Sequence, residues 1–304
     1  MNQNTKTHNS YLTGLAQAAY ADEADSIGSL IFPPVEVKTP VGSYKNRSIN
    51  DAFRVYDTKL TRGNSAKRID VNTAEDYFNC RPNALEIGHW EFDMEQEDGD
   101  DEREAGLQEL MSVTLVSREA EAISIFKKGI PAQKDSGKWI NNPTANIIGE
   151  LDTAMLQIYN AIAKQPTHLV MGLSAWNIIK NHPAILERFH GVASNVTLEG
   201  FRELLLLPNI EIRLAPMLQT PTARGKKGEK TPMLGNDIFI FYTQDAPTKD
   251  DMSVAKDFTL DASGPSVRSY EDEKLEEVVD KLRWSSDRHI TCAAAGARIE
   301  ITEA

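Results

Sequence analysis

The sequence predicts an α+β fold in which a compact α/β unit is inserted into a second domain that is discontinuous along the chain. Three features point to it. Residues 102–127 read as a long helix, with acids at its start and Lys127-Lys128-Gly129 at its end, as the helix dipole favours. Its apolar residues form two stripes, Leu107, Met111, Leu115, Ala122 and Phe126 on one side and Val113, Val116, Ala120 and Ile123 on another, so it needs neighbours on both. Residues 146–262 alternate helices with buried strands, and 267–301 read as strands in want of a sheet.

In chain order, residues 1–42 read as an N-terminal arm. They mix small and polar residues with one apolar patch, Leu30-Ile31-Phe32, and Pro33, Pro34 and Pro40 leave no room for a helix around them. Such a segment has little to bury alone and is expected to lie on another surface. Residues 43–80 read as a two-stranded excursion, with Ile49, Phe53 and Val55 alternating outward, Ile69 and Val71 on the return, and the turn-forming TRGNSAKR between them. A lone hairpin is marginal in water, so this one too is expected to pack on something.

After the polar link GIPAQKDSGKW, the spacing of Ile147, Leu151, Ala154, Met155, Ile158 and Ile162 predicts a helix over 146–163. THLVMG then reads as a buried strand, SAWNIIKN as a helix stopped by Pro183, and TLEGFRELLLL as a helix capped by Thr197 and stopped by Pro208. IEIRLA and DIFIFYT read as two further strands.

Composition narrows the function. With 33 Lys and Arg against 45 Asp and Glu, the 304-residue chain carries a formal charge of −12, which disfavours nucleic-acid binding as its main task. Cys80 and Cys292 cannot build a disulfide framework or a zinc site and read as reduced thiols. The amino terminus lacks a secretory pattern and no apolar run approaches the roughly 18 residues that span a bilayer, so the chain is expected to be cytosolic, without membrane contact.

Catalytic signatures are missing from the text. The six histidines (His8, His89, His168, His182, His190, His289) form no metal-binding pair beside a glutamate, and no serine or cysteine stands in an activating context. ARGKKGEKT and SGKW lack phosphate-loop spacing, and the acids at 91–104 lack calcium-loop spacing. No catalytic residue, cofactor or metal is assigned, and the chain is expected not to be an enzyme.

Charge is strongly local. Between residues 44 and 70, Lys45, Arg47, Arg54, Lys59, Arg62, Lys67 and Arg68 oppose Asp51, Asp57 and Asp70, a balance of +4. Residues 91–104 hold nine acids and one base, Arg103, a balance of −8. Two readings stand: both are solvated faces, or the basic hairpin of one copy lies on the acidic segment of the next.

The order of segments resembles the major capsid proteins of tailed bacteriophages, the Hong Kong 97-type fold. The resemblance is carried by LIFPPVEVKTPVGSYKNRSINDAF (30–53), DYFNC (76–80), the helix at 102–127, KWINNPTANIIGELDTAM (138–155), PTHLVMGLSAWNIIKNHPAI (166–185) and the run through LPNIEIRLAP to Pro216. It covers nearly the whole chain as a pattern of segments, without an invariant signature. It implies an N-terminal arm (1–42) reaching an adjacent subunit, an extended loop (43–80) lapping over a neighbour, a peripheral domain with a spine helix (81–145, completed by 263–304) and an axial domain (146–262).

The implied role is that of a shell subunit forming hexamers and pentamers around packaged double-stranded DNA, in a virion assembled in the host bacterial cytoplasm. The expected partners are further copies of the chain, a separate scaffolding protein, because only about forty residues precede the hairpin, a portal, and a decoration protein. Candidate interface residues are Arg54, Lys59, Arg62, Lys67 and Arg68 on the hairpin against Asp98, Asp100, Asp101 and Glu102. Two other readings remain open at this point, an encapsulin-type nanocompartment and a soluble α/β enzyme with an insertion domain.

Overall fold

The computed structural model of the protein describes residues 7–22, 26–47, 55, 58–59, 73–96, 99–134, 136–189, 196–220, 228–260 and 264–303. From the amino end, β1 (Thr7–His8), α1 (Ser10–Asp22), α2 (Ile27–Ile31) and β2 (Pro34–Glu36) lead to a hairpin of β3 (Val41–Arg47) and β4 (Thr73–Asn79). Next come β5 (Arg81–Trp90), α3 (Glu91–Gln96), the 31-residue α4 (Gly99–Gly129) and β6 (Lys138–Ile140). The middle of the chain holds α5 (Ile147–Ile162), β7 (His168–Gly172), α6 (Leu173–Lys180), α7 (Pro183–Phe189), α8 (Leu198–Glu203), β8 (Glu211–Ala215), β9 (Leu218–Gln219), β10 (Thr231–Pro232) and β11 (Asp237–Phe241). It closes with β12 (Ala255–Thr259), β13 (Ser266–Asp272), β14 (Glu277–Ile290), β15 (Gly296–Glu300) and β16 (Thr302–Glu303).

A six-stranded sheet is organised by β14. One edge of β14 pairs antiparallel with β5, from Glu277↔Trp90 to Ser286↔Arg81. The other edge is shared in succession by β13, from Asp272↔Glu277 to Ser266↔Arg283, and β12, from Thr259↔Ser286 to Ala255↔Ile290. β1 extends the sheet beyond β13, and β2 runs parallel to β12.

Helix α4 bridges two cores, which is why it is apolar on two sides. Its first half buries Leu107, Leu110 and Met111 with Leu12 and Ala16 of α1 and with Val267 and Leu282 of the sheet. Its second half buries Ala122, Ile123 and Phe126 with Ile27, Ile31 and Phe32 and with the larger core of the α/β unit. Burial of this order contributes about 1.5–3 kcal/mol per large apolar side chain. Most of both apolar sides is thus covered inside the chain, while Val113 of the second stripe stays 50% exposed.

The same contacts show what the first forty residues do within one chain. They form two helices, α1 and α2, both ahead of the prolines, and these pack on their own chain's α4 and β13. The reason is local: small and apolar residues at Leu12, Ala16, Ile27 and Ile31 fit tightly on α4, each no more than 6% exposed.

The α/β unit is built on a four-stranded sheet in the order β15-β11-β7-β8, with β7 parallel to β8 and antiparallel to β11. Helix α5 covers it with Ile147, Ile148, Leu151, Ala154, Met155, Ile158 and Ile162. Asn146 accepts the Gly149 N–H at its start, and Ala163 closes it in the left-handed conformation at φ 50°. β15 pairs with β11 from Gly296↔Phe241 to Glu300↔Asp237, so the closing strands divide: β13 and β14 join the six-stranded sheet and β15 joins this one.

The SGKW stretch is structural. Gly137 at φ 88° brings its backbone against Glu300, where a β-carbon would stand 2.1 Å from the carbonyl oxygen. Its N–H and the Trp139 indole both donate to Glu150 Oε2, at 2.7 and 2.9 Å. Across the α/β unit, Asp237 of β11 is held by Lys127 Nζ at 2.6 Å and Arg298 Nε at 2.8 Å, tying the end of α4 to the sheet. Among the described residues no helix is long and apolar enough to cross a membrane.

Candidate assembly surfaces

The root of the hairpin is a small core of its own. β3 and β4 pair from Val41↔Asn79 to Arg47↔Thr73, and alternation turns Tyr44 and Phe78 inward onto Phe258 of β12. The rings of Tyr44 and Phe78 lie 5.3 and 4.6 Å from that of Phe258, both stacked. Val35, Val37 and Cys80 complete the cluster. Burial, reinforced by Asp76 and Asp287, pushes the Tyr44 hydroxyl up to about 12, and burial pushes the Cys80 thiol up to about 11, so this thiol stays protonated.

Two carboxylates grip the strands of the root, one each. Asp250 Oδ1 accepts the Lys45 N–H at 2.8 Å, and Asp287 Oδ2 accepts the Asn79 N–H at 2.6 Å while contacting His289 Nε2 at 2.8 Å. Beside them a cleft of about 670 Å³ opens between β4, β5, β14 and α4, lined among others by Tyr77, Arg81, Glu121 and Arg288. Of these root residues, Asp250, Phe258 and Asp287 do not stand out in the sequence, because their partners on the hairpin are more than 150 positions away.

Of the basic candidates, Arg54, Arg62, Lys67 and Arg68 lie outside the described residues, and Lys59 is described only as irregular backbone with an exposed side chain. Of the acidic ones, Asp98 lies outside and Asp100 is on the first turn of α4. Asp101 follows it, exposed. Glu102 is half-buried, with Oε1 at 3.8 Å from Nδ1 of the buried His89. The segment's one base, Arg103, faces inward to Asp280. Glu91 and Asp93 are exposed on α3, so both flanks of the acidic run reach solvent.

Sequence reasoning passed over an apolar feature at the same place. Trp90 and Phe92 are 47% and 52% exposed with ring centroids 5.1 Å apart, and Leu275 in the turn between β13 and β14 is 60% exposed. Glu91 N–H donates to Glu276 O, which brings that turn against the end of β5. The signal was a tryptophan and a phenylalanine bracketing the first acid of a charge run.

The first residues dock on α4 through a buried acid. Glu119 is 2% exposed and its Oε2 accepts the Gly28 N–H at 3.0 Å. Burial raises its pKa above the ordinary carboxylate value, against the hydrogen bonds from Gly28, Ile27 and Ser26 and the charge of Arg288. Nearby, Asp257 receives Arg118 at 3.3 Å and Arg288 at 3.0 Å. Among the described residues no group of three or more His, Cys, Asp or Glu side chains is placed to hold a metal ion.

No protein-family model and no curated protein matches the chain. Solved structures do. A phage-related protein from Bordetella bronchiseptica superposes with a TM-score of 0.75 over 98% of each chain at 21% identity. The capsid of the cyanophage P-SCSP1u matches with a TM-score of 0.56 over 90% of this chain and 87% of that one at 9% identity. An encapsulin complex from Synechococcus elongatus matches with a TM-score of 0.56 over 99% and 93% at 12% identity. The long α4, the rooted hairpin, the six-stranded sheet and the four-stranded α/β unit are together the Hong Kong 97-type capsid fold.

Proposed function

We propose that this chain is the structural subunit of an icosahedral tailed-phage capsid, whose copies assemble into hexamers and pentamers around packaged double-stranded DNA. The observation that carries the reading is a fold shared over 98% of the chain with a phage-related protein and over 90% of it with a cyanophage capsid. In this reading residues 43–80 are the extended loop, 81–145 with 263–304 the peripheral domain and 146–262 the axial domain. The role is structural and needs no cofactor or metal. A separate scaffolding protein, a portal and a decoration protein are its further partners, and it is assembled in the host bacterial cytoplasm into the virion. Its net negative charge suits a wall around DNA, because a strongly basic lining would bind the polymer it must release.

The hairpin bases Arg54, Lys59, Arg62, Lys67 and Arg68 of one copy lie on Asp98, Asp100, Asp101 and Glu102 of the next, opposite charges setting register more than affinity. Negative-stain electron microscopy with sedimentation velocity, over a range of protein concentration and salt, tests the proposal. Rings, tubes or shells are expected, and a compact monomer under every condition, candidate scaffolding included, would sink it. The match to an encapsulin supports a second reading, a nanocompartment; a co-purifying enzyme cargo in place of DNA would decide for it.

A further inference from the structure

Helix α2 meets α4 across an apolar surface that has a carboxyl in it. Ile27, Ile31 and Phe32 are buried in one cluster with Ala122, Ile123 and Phe126. Beside them, Glu119 Oε2 accepts the Gly28 N–H, while Oε1 is buried with no hydrogen-bond partner among the described residues. The approach is close: a β-carbon on Gly28 would stand 3.0 Å from Oε2 and 3.4 Å from the Ala122 β-carbon. The state of this carboxyl is therefore felt directly by the backbone of α2.

The charges around the site balance before Glu119 is counted. Arg118 and Glu121 stand beside it on α4, Asp257 comes from β12 and Arg288 from β14. Arg288 reaches Asp257 at 3.0 Å and Glu121 at 3.6 Å, and Arg118 reaches Asp257 at 3.3 Å. Helix α2 with Ser26 and Phe32 brings no charge, and from α1 the Tyr20 hydroxyl accepts from Arg118 at 3.4 Å. Both guanidinium groups thus already have carboxylate partners, and an ionised Glu119 is an excess buried charge. A neutral carboxyl in the same place leaves at most a hydrogen bond unmade, which costs far less. Burial accordingly outweighs the nearby donors and the charge of Arg288, and raises the pKa of Glu119.

We propose that Glu119 is a proton-operated latch: its neutral carboxyl seats α2 on α4, and its ionisation shifts the chain toward a state with α2 unseated. The chain around α2 allows that movement to be local. β1 is held by β13 and β2 by β12, one ladder on each side of α2 in sequence, whereas α2 is held by side-chain burial and the Gly28 contact. Unseating it bares Ile27, Ile31 and Phe32 together with Ala122 and Ile123, so rising pH offers an apolar surface that the closed chain keeps covered. In the unseated state Glu119 regains an ordinary pKa. Opening then releases one proton, and the open population grows up to tenfold per pH unit between the ordinary carboxyl range and the raised value. The inference concerns one chain alone and stands apart from the shell-subunit reading.

Amide hydrogen exchange on the unassembled full chain tests the latch, with rates expressed as protection factors so that the intrinsic rise of exchange with pH is removed. Protection at Gly28 and Phe32 is expected to fall by up to tenfold per pH unit from about pH 4 upward. It should level off where the Glu119 carboxyl carbon, followed by NMR, finishes titrating. At every pH it should lie about tenfold or more below the protection of α5, as local opening requires. In Glu119→Gln the α2 protection should not change with pH. A flat profile in the wild type, or the same fall in Glu119→Gln, overturns the latch. Protection of α2 equal to that of α5 also overturns it, because α2 then leaves only when the whole chain unfolds. If the variant fails to fold, the wild type decides alone: a carboxyl that titrates at the ordinary value, or out of step with the fall at Gly28 and Phe32, removes the proposal.

Discussion

Arg103 of α4 grips Asp280 of β14 with two hydrogen bonds, Nε at 2.8 Å and a terminal nitrogen at 2.7 Å, and reaches Ser269 at 2.9 Å. Asp280 is fully buried, so the one base of the acidic run is spent inside the molecule, while Glu91, Asp93 and Asp101 reach solvent. Replacing Asp280 by alanine strands the guanidinium and should cost about 3–5 kcal/mol, read as a shift of the urea midpoint. The apolar pair Arg103→Met with Asp280→Leu should recover most of that loss, and a double variant as unstable as the single one would contradict the account.

Glu119 should make stability fall as pH rises. Its folded-state pKa lies above the unfolded value, so the folded chain holds the proton more tightly. The contribution is full below the ordinary carboxyl range near pH 4 and is lost as pH climbs through the raised value. Glu119→Gln keeps a group able to accept from Gly28 and has no charge to bury. Its melting temperature relative to wild type should therefore rise as pH climbs from the ordinary carboxyl range through the raised value, and a pH-independent difference would argue against burial as the cause.

Phe258 is the slab on which the hairpin stands. Phe258→Ala should destabilise the protein by about 3–5 kcal/mol. The change also opens Tyr44 to water, so its titration should move from about 12 back toward the ordinary 10, visible in the ultraviolet phenolate band and absent from a Tyr44→Phe background.

Reversing charge at the hairpin, Arg62→Glu with Arg68→Glu, should impair assembly and leave the monomer's melting temperature within about 1–2 °C of wild type, since surface changes cost little. Particle counts by electron microscopy give the readout. Restoration of assembly by Asp98→Lys with Asp101→Lys in the same chain would identify the partner surface.

Local signals carried much of the fold. Helix α5 begins and ends where Asn146 and Ala163 cap it, β7 and β11 fall on THLVMG and DIFIFYT, and Thr197 caps α8 by accepting from Gly200. Helix α8 stops at Glu203, short of Pro208, because Leu204 and Leu205 bond back three residues and Asp152 of α5 takes the Leu206 N–H. That acid is 54 positions away and nothing near Leu206 announces it. Helix α1 hid because Ala16 and Thr13, small and polar in the text, supply its buried face together with Leu12. The candidate surface was legible as charge and not as geometry: the acidic run was plain, but the inward turn of Arg103 depends on β14, nearly two hundred residues later.

Strand β15 has a consequence for the order of events in folding. The α/β unit places β7 and β11 early and then leaves one side of β11 open until residues 296–300 arrive, after the chain has crossed back through β12, β13 and β14. β14 itself completes the other sheet by pairing with β5, about two hundred positions earlier. Both sheets are therefore closed by the same late stretch, and such distant pairings are slow to form. A nascent chain on the ribosome carries two unfinished sheets until that stretch emerges, so neither unit is ready to meet another copy before the chain is nearly complete.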